Sequence, residues 1–276
     1  MDLGLSGKTA VITGGSGVIG QGLVLGYAAE GVNVISASRD LTKGAELEKE
    51  ARDRGYKGRV LAVKTDITDR ASIDAMMATC HKEFGPVDIL VNNAGGASQP
   101  KAFADMDDET FDWEIDLNIK GVVYATQAAG KDFKERGGVI VNIGSNGALL
   151  SEAAAFFVNY GSSKGYVHTM TKALAGEWAD WGVRINTIAP GWIVPEKAEA
   201  AGDGSLWKRF GFEAAGTPEQ MQTAVEDGTL MNMSSLPIKR LGRPEDVANL
   251  ALFLSSEKAS YITGQMISVS GGAWML

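Results

Sequence analysis

The chain has 276 residues, with 26 Lys+Arg against 34 Asp+Glu for a net charge of −8, and 45% of its residues are hydrophobic. These are values for one folded domain around one core, and they argue against a disordered chain; the acidic balance argues against a nucleic-acid binder that works by neutralising phosphates. The single cysteine, Cys80, can form neither an internal disulfide nor a thiolate zinc site, so no metal site is expected.

The first residues, Met1 to Lys8, lack a basic run followed by a long apolar one, and no stretch approaches the ~20 apolar residues of a spanning helix. A cytoplasmic protein with no membrane partner is expected. Thr9-Ala10-Val11-Ile12-Thr13 is a short apolar run bounded by glycine, the pattern of a strand buried on both faces. Runs at 32–37, 60–63, 87–91, 139–143, 185–189 and 266–269 repeat it. Helical patterns lie between them, at roughly 19–30, 42–54, 70–84, 108–135, 156–181 and 244–256. This alternation predicts an α/β fold over residues 1–276: a doubly wound parallel sheet of about seven strands with helices on both faces.

One stretch breaks the rhythm. From about Glu196 to Leu236 there is no clear strand, yet Trp207, Phe210, Phe212, Met221, Met231 and Met233 are apolar. Because it follows the carboxyl end of a strand, where open α/β sheets bind ligands, it reads as a lid insertion over approximately 194–238. A pair of ordinary surface helices is the alternative.

The first strand runs into Thr13-Gly14-Gly15-Ser16-Gly17-Val18-Ile19-Gly20 and then a helix. Gly15, Gly17 and Gly20 match G-x-G-x-x-G, a turn in which glycines let the backbone approach a pyrophosphate at a helix N-terminus. At the end of the second strand, an NAD-type site would place a carboxylate for the ribose hydroxyls. Here the chain reads Ser38-Arg39-Asp40; a hydroxyl followed by a guanidinium suits the 2′-phosphate of NADP, while Asp40 keeps NAD possible.

Tyr160 and Lys164 stand at i and i+4 on one helix face. A phenol carries protons poorly near neutrality unless a nearby cation favours its phenolate, and a lysine one turn away supplies one. The ordered set around this pair is Asp66-Ile67, Asn92-Asn93-Ala94-Gly95, Asn118, Ser145 and Pro190-Gly191. With the glycine turn, Gly242 to Val247, Thr263-Gly264 and Ser270-Gly271-Gly272, it resembles the short-chain dehydrogenase/reductase family, single-domain subclass, over essentially the whole chain.

That resemblance implies a Rossmann-like fold and roles for the matching positions. Tyr160 would be the general acid in reduction and the base in oxidation, and Lys164 would hold the nicotinamide ribose and lower the Tyr160 pKa. Ser145 would donate to the substrate oxygen, and Asn118 would hold a water of a proton relay. Gly14, Ser16, Gly17, Val18, Ile19 and Gly20 would cradle the pyrophosphate, with Ser38 and Arg39 on the ribose. Asp66 and Ile67 would line the adenine, and Asn93, Ala94 and Gly95 would pass under the cofactor. Pro190, Gly191 and Ile193 would face the nicotinamide. A homo-oligomer, tetramer or dimer, is the family expectation.

Three departures stand out. Val18 replaces the middle glycine of the family's turn, Ser145 precedes Tyr160 by fifteen residues rather than about thirteen, and Pro195 replaces a common Thr. Trp192, after Pro190-Gly191, would wall the substrate. His168, His81, Trp178 and Trp181 read as ordinary helix or core residues. The expected reaction is hydride transfer between NADP(H) and a secondary alcohol or ketone. Leu149, Leu150, Phe156, Phe157, Trp192 and Trp207 favour an apolar cyclic or aliphatic ketone. Phe111-Asp112-Trp113 and Asp116-Leu117-Asn118 are similar to sugar-acid oxidoreductases. Gly130 and Gly176, where fatty-acid ketoreductases often have Arg, make an acyl-carrier-protein partner a poorer match. A non-catalytic NADP-binding regulator is the alternative of another class.

Overall fold

The computed structural model describes residues 2–149, 157–201, 207–229 and 236–273. Seven strands, β1 (Thr9–Thr13), β2 (Asn33–Ser38), β3 (Val60–Lys64), β4 (Ile89–Asn92), β5 (Gly138–Ile143), β6 (Val183–Pro190) and β7 (Met266–Val269), form one parallel sheet. Their order is β3-β2-β1-β4-β5-β6-β7. The helices joining them are α1 (Val18–Ala29), α2 (Leu41–Asp53), α3 (Arg70–Phe84), α4 (Asp108–Ile115), α5 (Gly121–Arg136), α6 (Val158–Glu177), α7 (Pro218–Glu226) and α8 (Pro244–Ser255).

Side chains alternate across a strand, so each buried central strand feeds two cores. Ala10 and Ile12 of β1 join Leu23, Val24 and Tyr27 of α1 and Val247, Ala251 and Leu254 of α8. Val11, between them, joins Ile73 and Met76 of α3 and Ala125, Ala129 and Phe133 of α5 on the other face. On the first face α1 and α8 approach closely because Gly22 lies under Pro244, where a Cβ would come within 2.6 Å of the proline ring. The Tyr27 hydroxyl crosses that contact to Ser255 Oγ at 2.6 Å. On the second face, a buried amide–hydroxyl chain ties helices to strands. Asn92 Nδ2 donates to Thr126 and Asn142 at 3.0 and 2.8 Å, Asn142 Nδ2 donates to Thr171 at 2.8 Å, and Thr171 meets Thr187 at 2.8 Å. Apart from Asn92 Oδ1, which has no partner, these linked buried polar groups fix one arrangement, the seat of α5 and α6 on the sheet.

Two expected helices differ. The stretch expected as one helix over 108–135 is α4, a π-helical turn at Asp116–Lys120, and α5. The helix expected over 156–181 begins at Val158 among the described residues and ends at Glu177, with a separate 3-10 turn at Ala179–Trp181. The stretch after β6 holds α7, started by a Thr217–Gln220 capping box, and a small core of its own around Val194, Met221, Val225 and Leu236. Among the described residues no helix is long and apolar enough to cross a membrane.

Candidate active site

The order β2-β1-β4 reverses direction of winding between β1 and β4, and a cleft of about 680 Å³ opens at the carboxyl ends of the strands there. The turn after β1 forms one end. Gly14 has φ +65, and a Cβ on it would lie 2.8 Å from Ala94 Cα, so both conformation and close approach require glycine. A Cβ on Gly20 would fall 2.1 Å from the Gly14 carbonyl oxygen. Val18, in contrast, opens α1 in helical conformation, where the family's glycine is not required by the backbone. The first N–H groups of a helix have no acceptor within it, so this end of the cleft suits an anion. Gln21 Nε2 donates both to Ser16 O at 3.0 Å and to Ala200 O at 2.9 Å, joining the turn to the stretch after β6.

At the end of β2 the two candidate ribose contacts divide. Asp40 is the N-cap of α2, and its carboxylate accepts from Thr42 N at 2.8 Å. Arg39 is exposed, lines the cleft, and has no hydrogen bond or ion pair among the described residues. Across from it, burial works against ionisation of Asp66, yet two hydrogen bonds from Thr68 and the Arg39 charge hold its carboxyl below the usual range.

Ser145, Tyr160 and Lys164 share the other end. Ser145 follows β5, its hydroxyl accepting from Gly147 N at 3.0 Å and lying near enough to the Tyr160 phenol, on the first turn of α6, to favour its phenolate. Lys164, one turn on and 3% exposed, donates to Ile143 O at 3.0 Å, with Nζ 5.8 Å from the Tyr160 ring centre. Burial alone brings its pKa down to about 8. The expectation of a lowered phenol needs correcting: burial raises the Tyr160 pKa, the Ser145 hydroxyl offsets part of this, and the Glu114 charge adds to it. Desolvation of the phenolate outweighs that single contact. Asn118 is fully buried in the π-helical turn. Its side chain clasps Gly96, accepting from Gly96 N at 3.0 Å and donating to Gly96 O at 2.8 Å, which fixes the backbone at the edge of the cleft. Gly95 completes the cluster, since a Cβ there would lie 2.8 Å from Lys164 Nζ and 2.9 Å from Asn118 Oδ1.

The structure therefore brings to one cleft Gly14, Ser16, Gly17, Val18, Ile19, Gly20, Ser38, Arg39, Asp66, Ile67, Asn93, Ala94, Gly95, Ser145, Tyr160, Lys164, Pro190, Gly191 and Ile193. Asn118 stands behind this wall. Trp192 does not line the cleft; its ring packs 5.7 Å from Trp207, which does and which donates from Nε1 to Ile193 O at 2.7 Å. Leu150, Phe156, Met231 and Met233 lie outside the described residues. Thr65, Thr68, Trp113 and Leu117 line the cleft without having been singled out as site residues. Their signal was position, beside Asp66-Ile67 after β3 for the threonines, and immediately before Asn118 (Leu117) and one helical turn before Leu117 (Trp113) for the others. Gly130 is covered by Trp178, whose ring would be 2.8 Å from an added Cβ, which leaves no room for an arginine.

The chain matches the short chain dehydrogenase family over residues 8–204. It is 36% identical to the oxidoreductase UcpA of Salmonella typhimurium, over 98% of this chain and 95% of that one. It is 34% identical to the L-tagatose-forming galactitol 2-dehydrogenase of Cereibacter sphaeroides, over 97% and 95% respectively. Its fold is similar to that of 3-ketoacyl-(acyl-carrier-protein) reductase from Brucella melitensis complexed with NADH, with a TM-score of 0.79 and 32% identity over 98% of this chain and 100% of that one. Family match, full-length relatives and fold agree: the protein is a short-chain dehydrogenase, an oxidoreductase of the NAD(P)-binding kind.

Proposed function

We propose that the protein is an NADP(H)-dependent oxidoreductase that interconverts a secondary alcohol and a ketone, with Tyr160 carrying the proton. The observation that supports NADP over NAD is the division of labour after β2. Both Asp40 and Arg39 line the cleft, but Asp40 Oδ1 is engaged as a helix cap, whereas the Arg39 guanidinium is unpaired among the described residues. Guanidinium forks onto phosphate oxygens, so Arg39 with Ser38 would hold the 2′-phosphate. The Gly14–Gly20 turn would hold the pyrophosphate and Asp66 and Ile67 the adenine. Asn93 to Gly95 would pass beneath the cofactor, and Pro190, Gly191 and Ile193 would lie against the nicotinamide.

The bound dinucleotide supplies or accepts the hydride. In ketone reduction Tyr160 donates its proton to the carbonyl oxygen as charge develops there, and the Ser145 hydroxyl hydrogen-bonds the same atom. A phenol held above its ordinary pKa is protonated near neutrality and ready for this step. In alcohol oxidation the phenolate must form, and the Lys164 ammonium beside it is the cation that favours it. Asn118 would hold the water that passes the proton outward from Lys164, its side chain being fixed on Gly96 beside that ammonium.

Trp113, Leu117 and Trp207 line the cleft near the catalytic residues and suit a cyclic or aliphatic ketone. A polyol or sugar acid is the second reading, favoured by Arg209, whose guanidinium lies 4.8 Å from the Trp113 ring centre, and by the galactitol dehydrogenase relative. The stretch over 194–238 acts as the lid, and the enzyme works as a homo-oligomer. Paired assays of a ketone and polyol panel test the reading. NADPH should give the higher kcat/KM, and Arg39→Leu should reduce that preference by roughly ten-fold or more, as loss of charged hydrogen bonds predicts. Equal use of both cofactors by the parent protein would refute the NADP assignment, and cofactor binding without any turnover would favour a regulator.

A further inference from the structure

The catalytic scheme leaves one buried charged group unused. Glu114, in the last turn of α4, is 1% exposed and carries no ion pair among the described residues. Its Oε1 accepts from Ser98 N at 2.6 Å, while its Oε2 is buried without a hydrogen-bond partner. A carboxylate in such a position is expensive to bury unless something in the site uses it.

Two features indicate what that is. Asn118 lies four residues further along, on the same helical path, and its side chain clasps Gly96 from both sides. Glu114 and Asn118 thus hold the two ends of the same short run, Gly96 to Ser98, which borders the cleft at Gly96. Secondly, α4 packs on α6, with Asn159 Nδ2 donating to Phe111 O at 3.5 Å, so the Glu114 charge acts on Tyr160 across the helix contact. Charged groups on the elements packed here include Lys164, Glu114 and Arg209. Lys164 lies on its own helix, Glu114 on α4, and Arg209, from the stretch after β6, over the neighbouring Trp113 ring. Of these, Glu114 is the anion, and its charge disfavours the phenolate.

We propose that Glu114 is a positioning residue that fixes the Gly96–Ser98 wall and sets the pH at which Tyr160 changes from proton donor to proton acceptor. This rests on the reading of Tyr160 as the proton carrier. An anion on the helix packed against α6 keeps the phenol in the form that ketone reduction needs.

Near-ultraviolet titration of the cofactor-free protein, with the Tyr160→Phe signal subtracted, isolates the ionisation of Tyr160 without requiring a known substrate. Glu114→Gln keeps an acceptor oxygen for Ser98 N and removes the charge; Glu114→Leu removes both. The Glu114→Gln midpoint should fall, so that the phenolate fraction on the rising limb grows roughly three-fold or more. Amide exchange at Ser98 should stay protected in Glu114→Gln and accelerate at least ten-fold in Glu114→Leu. Coincident midpoints in the parent and Glu114→Gln would overturn the electrostatic role, and unchanged Ser98 exchange in Glu114→Leu would overturn the wall-fixing role. If Tyr160→Phe instead turns over a panel alcohol normally, the reading of Tyr160 fails, a result separate from either of these.

Discussion

Replacing Lys164 by Met should stabilise the cofactor-free fold while abolishing its chemistry, and the gain should depend on pH. The ammonium is almost fully buried and held at a pKa of about 8 against 10.5 when free. Below about pH 8 folded and unfolded chains both carry this proton, and the full penalty for burying it stands, about 3 kcal/mol. Between about pH 8 and 10.5 the folded site releases the proton while the unfolded chain keeps it, so the penalty shrinks as pH rises and disappears above that window. Methionine keeps the long apolar stem but leaves the Ile143 carbonyl, now 3.0 Å from Nζ, without its donor. That offsets about 1–2 kcal/mol. A net gain of about 1–2 kcal/mol near pH 7 remains, or roughly 2–6 °C in Tm. Thermal unfolding of variant and parent at about pH 7 and about pH 10 checks this, because other titrating groups cancel in the difference. A variant less stable than the parent by the same margin at both pH values would refute the reasoning.

Two further substitutions probe the glycine turn and the stretch after β6. Gly20→Ala puts a Cβ 2.1 Å from the Gly14 carbonyl oxygen, whereas the nearest atom to a Cβ on Gly17 is 3.2 Å away. Overpacking of the first kind costs about 1–3 kcal/mol, so Gly20→Ala should lower the Tm of the free protein by several degrees, and Gly17→Ala should change it much less. Trp207→Ala removes the ring between Trp192 and Phe212 and the donor to Ile193 O. It should raise KM by roughly ten-fold, speed amide exchange in α7, and leave the exchange of β1 and β4 unaltered, because the cluster it belongs to is separate from the two sheet cores. A KM equal to the parent's would mean that this stretch does not shape the site.

The seven strands were readable because parallel strands buried on both faces must be short apolar runs, and β1 at Thr9–Thr13 and β7 at Met266–Val269 match their expected limits. The glycine turn and the Tyr160–Lys164 pair were legible because spacing along a helix or turn translates directly into adjacency. The π-helical turn was not, since Asp116 to Lys120 satisfy an α-helical pattern equally well and only the hydrogen-bond ladder distinguishes them. Glu114 was missed for a related reason. A carboxylate in a helical stretch reads as solvated, and its burial depends on Ser98 and α6, which sequence spacing does not bring into view. The role of Asp40 needed the coordinates as well, because a carboxylate before a helix can either cap it or point at a ribose.

Tyr160→Phe offers the most direct test of the central claim, that a phenol beside Lys164 carries the proton in a dinucleotide cleft. Cofactor binding followed by fluorescence should stay within about three-fold of the parent, because the ring and its packing remain, whereas steady-state turnover in both directions should fall by at least about 10²-fold, the usual contribution of a general acid–base group. A variant that binds the dinucleotide and still reduces ketones at the parent's rate would contradict the account.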